Sequence, residues 1–325
     1  MVNRPLITVL GASGFIGSSV LAALARRPVR LRAVARRPAV PSGHGRTTAD
    51  IETRTADLTR PGLLAEAVAG SDAVIHLVAH IDGAGTWRAA DGDRTAERLN
   101  AGLVHELADA LRPTRATGRP PSVVVFASTA TASEDTGPTT AYERQKLAAE
   151  QALADATAAG VLHGVSLRLS TVFGAAATPA AADRGVVSAM IRRALDGVPI
   201  TMWHDGTVRR DLLYVQDAAT AFTAALDHAP ALAGRHWLVG SGRSTPLGDV
   251  FHAVAATVAN RTGRPPVPVH QVEPPAVASA ADFRNVFVDH TPFRSVTGWA
   301  PRVSLHEGLD RTVTALTGIH GKDLV

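Results

Sequence analysis

Leu6-Ile7-Thr8-Val9-Leu10-Gly11-Ala12-Ser13-Gly14-Phe15-Ile16-Gly17 is the stretch that decides the fold. Its first five residues form a short apolar run, as a strand buried on both faces requires. Three glycines follow at a spacing of three. Ile16, Val20, Ala23 and Leu24 then fall at helical spacing, and the pattern ends before Pro28. Strand, glycine turn and helix in that order suit the pyrophosphate of a dinucleotide. Gly11 permits the tight turn, Gly14 lets backbone approach the phosphates, and Gly17 lets helix pack close to strand. The helix N-terminus then faces the anion. Ser13, Phe15 and Ile16, inside the same turn, are assigned to the cofactor with the glycines. The bland alternative is a βα turn with no ligand; the strand-to-helix context at the head of the chain favours the dinucleotide.

Moving outward, Val29 to Ala35 alternates into a second strand. The position about 20 residues past the glycines decides the cofactor, because an acid there would hold a ribose 2′-hydroxyl. This chain has Arg36-Arg37 instead. Two guanidiniums suit a 2′-phosphate by charge and by bidentate geometry, so the expected cofactor is NADPH (NADP). Ala56-Asp57-Leu58 ends a weak third strand, and Pro61 to Ala69 reads as a short helix. Ala73 to Ala79 is the fourth strand. Its last residues, Leu77, Val78 and Ala79, are expected to line the crevice beyond the carboxyl ends of parallel strands, with His80 just past them. Glu97 to Leu111 is helical, with Leu99, Leu103, Leu107 and Leu111 on one stripe that suits a core or a dimer surface. Ser122 to Ala127 is the fifth strand, followed at once by Ser128-Thr129.

The chemistry gathers at Tyr142-Glu143-Arg144-Gln145-Lys146. Thr140-x-x-Glu143 is a capping box that starts a helix. It puts Tyr142 in the first turn and Lys146 one turn on, about 6 Å of rise away on the same face. There are only two tyrosines and two lysines, Lys146 and Lys322, in the chain. An amine beside a phenol is expected to pull its pKa down from about 10 and make it a proton donor or acceptor for an alcohol/ketone pair. Alone, the spacing equally suits a solvated helix face, and Ser128-Thr129 alone could be turn chemistry.

The chain has 325 residues, 46% apolar and 19% charged, as in a soluble globular protein. The formal net charge is +4 although the pI is near 10.2, because all but two of the 33 basic residues are arginine. The arginines are scattered and aromatics are few, so no nucleic-acid partner is expected. With no cysteine there are no disulfides, thiolate catalysis or cysteine metal sites, and no metal is expected. No apolar run approaches membrane-spanning length or a signal peptide, which predicts a cytoplasmic protein with no membrane partner.

Together, Gly11-x-x-Gly14-x-x-Gly17, Asp57-Leu58, Asn100, Ser128-Thr129 and Tyr142-x-x-x-Lys146 resemble the extended short-chain dehydrogenase/reductases, of the nucleotide-sugar-modifying kind. The similarity continues through Arg168 to Gly174, Arg209 to Asp217, and Thr297-Gly298-Trp299-Ala300-Pro301. More narrowly, Met202 to Gly206 with Arg209-Arg210-Asp211, and His76 to His80 with Thr86-Trp87-Arg88, are similar to actinomycete dTDP-4-keto-6-deoxyhexose 4-ketoreductases of antibiotic deoxysugar biosynthesis.

The resemblance implies an α/β fold, a Rossmann-type doubly wound parallel sheet with a smaller C-terminal α/β substrate lobe. Residues 1–174 would form the NADP(H)-binding domain, with 211–239 returning to it, and 175–325 mainly a nucleotide-sugar-binding lobe. It implies Thr129, Tyr142 and Lys146 as the catalytic set. Asp57, Leu58, Asn100, Ala127, Ser128, Leu169, Ser170 and Thr171 would join the cofactor site, and His80, Arg210 and Arg284 the substrate site. Arg210 and Arg284 would grip the diphosphate. The expected substrate is a dTDP-4-keto-6-deoxyhexose, reduced at C4, and the expected assembly a homodimer through 97–111 and 140–159. A 4-epimerase with tightly bound dinucleotide and a non-catalytic dinucleotide-sensing relative are the alternatives. A 4,6-dehydratase would carry Asp-Glu directly after the catalytic hydroxyl, whereas here Ala130-Thr131 follow Thr129, and Glu134 and Asp135 come too late.

Overall fold

The computed structural model describes residues 4–39, 47–80, 91–116, 120–131, 140–178, 181–203, 205–275 and 278–320. Thr86, Trp87, Arg88, Glu134, Asp135, His204 and Lys322, used in reading the sequence, lie outside these. Along the chain come β1 (Leu6–Leu10), α1 (Phe15–Leu24), β2 (Arg30–Ala35), β3 (Asp50–Thr55), α2 (Leu63–Val68) and β4 (Ala73–His76). A continuous helical run follows, α3 (Arg94–Glu97), a π turn (Arg98–Gly102) and α4 (Leu103–Ala116), and then β5 (Ser122–Thr129), α5 (Ala141–Ala158), β6 (Leu162–Leu169) and β7 (Thr171–Phe173). The remaining elements are α6 (Val186–Leu195), β8 (Ile200–Met202), β9 (Arg209–Tyr214), α7 (Val215–Asp227), α8 (Ala229–Leu232), β10 (Arg235–Val239), β11 (Ser244–Pro246), α9 (Leu247–Thr262), β12 (Val269–Gln271), a 3-10 turn (Ala280–Phe283), α10 (Thr291–Thr297) and α11 (Leu305–His320).

Seven parallel strands form the main sheet in the order β10-β6-β5-β4-β1-β2-β3. The chain builds outward from β1 through β2 to β3, then restarts at β4 and builds the other way. The reversal lies between β1 and β4, where such sheets hold their ligands. Strands β1 and β4 are buried throughout, as their apolar runs predict. Edge strand β3, Asp50-Ile51-Glu52-Thr53-Arg54-Thr55, is charged and mostly exposed, which blunts the edge.

Helices cover both faces. Val20, Leu21 and Leu24 of α1 and Ala218, Phe222 and Ala225 of α7 share one core cluster with strand residues such as Val9 and Ile75. Leu103, Leu107 and Leu111 share the opposite cluster with Val124, Phe126 and Leu153, with Leu99 packed against it. The leucine stripe therefore belongs to the core and not to a free surface. A third cluster unites α6, α9, α11 and β8. Of the segment expected to return to the first domain, β10 joins the main sheet, whereas β9 pairs with β7 and β11 in a separate three-stranded sheet. No described helix is long and apolar enough to cross a membrane.

Candidate active site

Glycine at positions 11 and 17 is required by geometry. Gly11 has φ +84°, and a Cβ on it would stand 3.0 Å from the backbone carbon of Leu77. A Cβ on Gly17 would stand 2.1 Å from the Gly11 carbonyl oxygen. The first turn thus presses against Leu77-Val78, at the end of β4. Gly14 is the N-cap of α1, and among the described residues no side-chain cap bond closes the helix end. Ser13, Phe15 and Ile16 surround it, none of them fully buried. Across the reversal, Ser128 at the end of β5 and Ser170 after β6 have buried hydroxyls without a partner among the described residues. Backbone that admits only glycine, an uncapped helix end and two unpaired hydroxyls fit a dinucleotide lying over the carboxyl ends of the strands.

Arg36 and Arg37 follow β2 and are exposed. Asp57 accepts hydrogen bonds from Thr59 N (3.1 Å) and Oγ1 (2.7 Å), which hold its carboxyl below the usual range, helped by the charges of Arg36 and Arg60. Leu58 beside it is buried. Arg60 is a third cation of this corner that the sequence reading did not single out.

The capping box forms as predicted. Glu143 N donates to Thr140 Oγ1 and Thr140 N donates to Glu143 Oε2, both at 3.2 Å. It sets the first turn of α5, and Tyr142 and Lys146 come to the same side, with Lys146 Nζ 5.7 Å from the phenol ring centroid. Lys146 is 2% exposed. Its Nζ donates to the Ala127 carbonyl at 2.8 Å and sits 4.5 Å from the Phe126 ring centroid. Burial lowers the ammonium to about 7, with Glu150 opposing the shift.

The expected acidification of Tyr142 does not appear. The phenol keeps some exposed surface, yet desolvation pushes it above its ordinary value. The amine meant to acidify it is itself desolvated and is held by a carbonyl. Tyr142 consequently holds its proton at neutral pH. Thr129 Oγ1 lies 2.9 Å from Thr131 Oγ1 and accepts from Thr131 N at 3.3 Å. The second tyrosine, Tyr214, is 1% exposed, packs edge-on to Phe173, and belongs to the third core cluster.

Several expected ligand residues have protein partners. Asn100, in the π turn, accepts from His80 N (2.9 Å) and donates to Gln145 (2.7 Å). It splints the segment after β4, where Ala79 and His80 lie, to α5 between Tyr142 and Lys146. His80 places Nε2 3.3 Å from Asp93. Arg210, expected to grip the diphosphate, acts here as a loop clamp. Its guanidinium donates to the carbonyls of Arg209 (3.1 Å), Ala281 (3.3 Å), Asp282 (2.6 Å) and Arg284. Backbone carbonyls of an irregular turn need donors, and β9 brings one guanidinium to three of them. Arg284 itself reaches Glu143 Oε1. Leu169 ends β6 and Thr171 opens β7, on either side of Ser170.

Sequence reasoning missed two further groups. Glu143 was read only as a cap, and nothing in its neighbourhood announces a partner 141 positions away. His76 was read as part of a strand. It is fully buried, neither ring nitrogen has a partner among the described residues, and burial, with Lys146 nearby, lowers it to about 3. No cluster of three metal-ligating side chains occurs among the described residues.

The sequence model of the NAD dependent epimerase/dehydratase family matches residues 7–240. The chain belongs to this family, the extended short-chain dehydrogenase/reductases. Over 131 residues, 40% of the chain, it is 34% identical to a UDP-glucose 4-epimerase of Mycolicibacterium smegmatis. Over 177 residues, 54% of the chain, it is 28% identical to a dTDP-L-rhamnose 4-epimerase of Burkholderia thailandensis. The matches span 38% and 46% of those relatives' own lengths. MoeE5, solved in complex with UDP-glucose and NAD, is similar with a TM-score of 0.75 and 26% identity over 97% of this chain and 99% of that one. UDP-glucose 4-epimerase of Thermotoga maritima, solved with UDP-glucose, shares the fold with a TM-score of 0.78 at 24% identity, over 97% and 99% of the two chains.

Proposed function

We propose that this chain is a nucleotide-sugar oxidoreductase that reduces the C4 ketone of a dTDP-4-keto-6-deoxyhexose with NADPH. The observation that carries the reading is the Tyr142–Lys146 face of α5, tied through Ala127 to the end of β5 in the crevice that the glycine turn shares. Matched relatives that act on nucleotide sugars, and a neighbour solved with NAD and UDP-glucose, support the substrate and cofactor class. Arg36 and Arg37, with Arg60 nearby, support NADPH over NADH.

The nicotinamide, when bound, supplies the hydride that goes to C4. Negative charge then develops on the C4 oxygen. Thr129 would hydrogen-bond that oxygen, and Tyr142, which retains its proton, would protonate it. Lys146 is the residue proposed to hold the ribose hydroxyls and to ease loss of the phenol proton once its ammonium is engaged. Gly11, Gly14 and Gly17 would hold the pyrophosphate, and Ser128 and Ser170 would offer the dinucleotide hydroxyls that have no partner among the described residues. Arg284 is the diphosphate contact, on a loop that Arg210 fixes. The protein is read as a cytoplasmic homodimer joined through α4 and α5.

A second reading, 4-epimerisation, is favoured by the two relatives described above, both 4-epimerases. One assay separates the readings: oxidation of NADPH against a panel of dTDP-4-keto sugars, with product analysis. Ketone-dependent oxidation is expected. Interconversion of C4 isomers without net oxidation would select the epimerase, and neither activity with dinucleotide bound would select a non-catalytic relative.

A further inference from the structure

Glu143 lies between the proton donor of the site and the C-terminal lobe. We propose that Glu143 is a positioning residue that pre-orients Arg284 for the diphosphate of the nucleotide-linked substrate, so that one ion pair aligns the substrate grip with the catalytic helix. This rests on the nucleotide-sugar reading above.

Both ends of Arg284 are fixed by different elements. Its backbone carbonyl, with those of Ala281 and Asp282, is held by Arg210 from β9. Its guanidinium donates to Glu143 Oε1 on the first turn of α5. A guanidinium carries five N–H groups in one plane, so a carboxylate on one nitrogen leaves the others able to meet a phosphate. The burial is asymmetric in the way this requires. The Glu143 side chain is 2% exposed and that of Arg284 25%. The carboxylate is sealed in while part of the cation faces solvent.

The pair is expected to persist when an anion arrives. If a phosphate drew Arg284 away, a carboxylate at 2% exposure would lose its cation, which is strongly unfavourable. Glu143 Oε2 is meanwhile held by Thr140 N, which fixes the carboxylate. Glu143 is thus a rigid anchor for Arg284 and not a competitor that the substrate displaces. It is also the immediate neighbour of Tyr142, so the grip and the proton donor are set from one helical turn.

The test is a double-mutant cycle on the full-length chain with NADPH present. Thymidine diphosphate and uridine diphosphate are titrated calorimetrically into wild type, Glu143→Gln, Arg284→Ala and the double variant. Glutamine keeps the capping box, so the helix start is retained. Glu143→Gln is expected to weaken diphosphate binding by about tenfold, and the double variant to bind no worse than Arg284→Ala alone. NADPH affinity is expected to stay at the wild-type value, which a general loosening of α5 would not allow. Wild-type affinity in Glu143→Gln, or losses that multiply in the double variant, would overturn the inference and leave the nucleotide-sugar reading standing. Failure of the wild-type chain to bind either diphosphate would overturn both.

Discussion

Two glutamates seven positions apart on α5 meet arginines in contrasting surroundings. Glu150 faces Arg168 of β6 through contacts of 2.8, 3.0 and 3.1 Å, with side chains 9% and 6% exposed. Glu143 faces Arg284, a quarter exposed, on a loop from the other end of the chain. Both carboxylates are buried; only the cations differ. A guanidinium with 6% of its side chain exposed, as in the Glu150 pair, holds helix to sheet. A guanidinium with an open side, as in the Glu143 pair, can hold helix to loop and still meet a ligand. The contrast separates scaffold from candidate site along one helix.

The largest expected effect breaks the scaffold pair. Glu150→Ala leaves Arg168 buried without its carboxylate and should cost about 3–5 kcal/mol in urea unfolding. A loss below about 1 kcal/mol would show that the pair is not the helix-to-sheet fastener described here. Next comes His76, a buried group with no hydrogen-bond partner among the described residues, against which to compare the two satisfied pairs. Its folded form is neutral down to about pH 3, while the unfolded chain takes up a proton near 6.5. The unfolded state binds more protons across that window, so stability should fall as pH drops from 6.5 to about 3. His76→Leu should flatten that part of the pH profile of the unfolding midpoint; an unchanged slope would assign it to other groups. The smallest effect sharpens the ligand side. Arg36→Ala with Arg37→Ala should weaken NADPH by about tenfold more than NADH, since only the former carries the 2′-phosphate. Equal losses in fluorescence titration would remove that argument.

The sheet and the first turn of α5 were legible because their signals are local. The Leu6–Leu10 run, the glycine spacing and the Thr140–Glu143 box each specify backbone within a few residues. Illegible features depend on partners far along the chain. The π turn that aims Asn100 at His80 and Gln145 has no compositional mark. Arg210 reads as an open cation until the carbonyls of 281–284 arrive beside it. The Tyr142 shift was misjudged because spacing reports proximity, whereas the shift follows desolvation. The leucine stripe offered two surfaces, and only packing against Val124 and Phe126 decides for the core.

The central claim is that Tyr142 delivers the proton in a reduction. It is tested most directly by ketone-dependent NADPH oxidation in wild type and Tyr142→Phe side by side, with dinucleotide affinity measured on the same samples. The account predicts turnover lower by at least about a hundredfold in the variant with NADPH affinity unchanged. Turnover equal to wild type would contradict it.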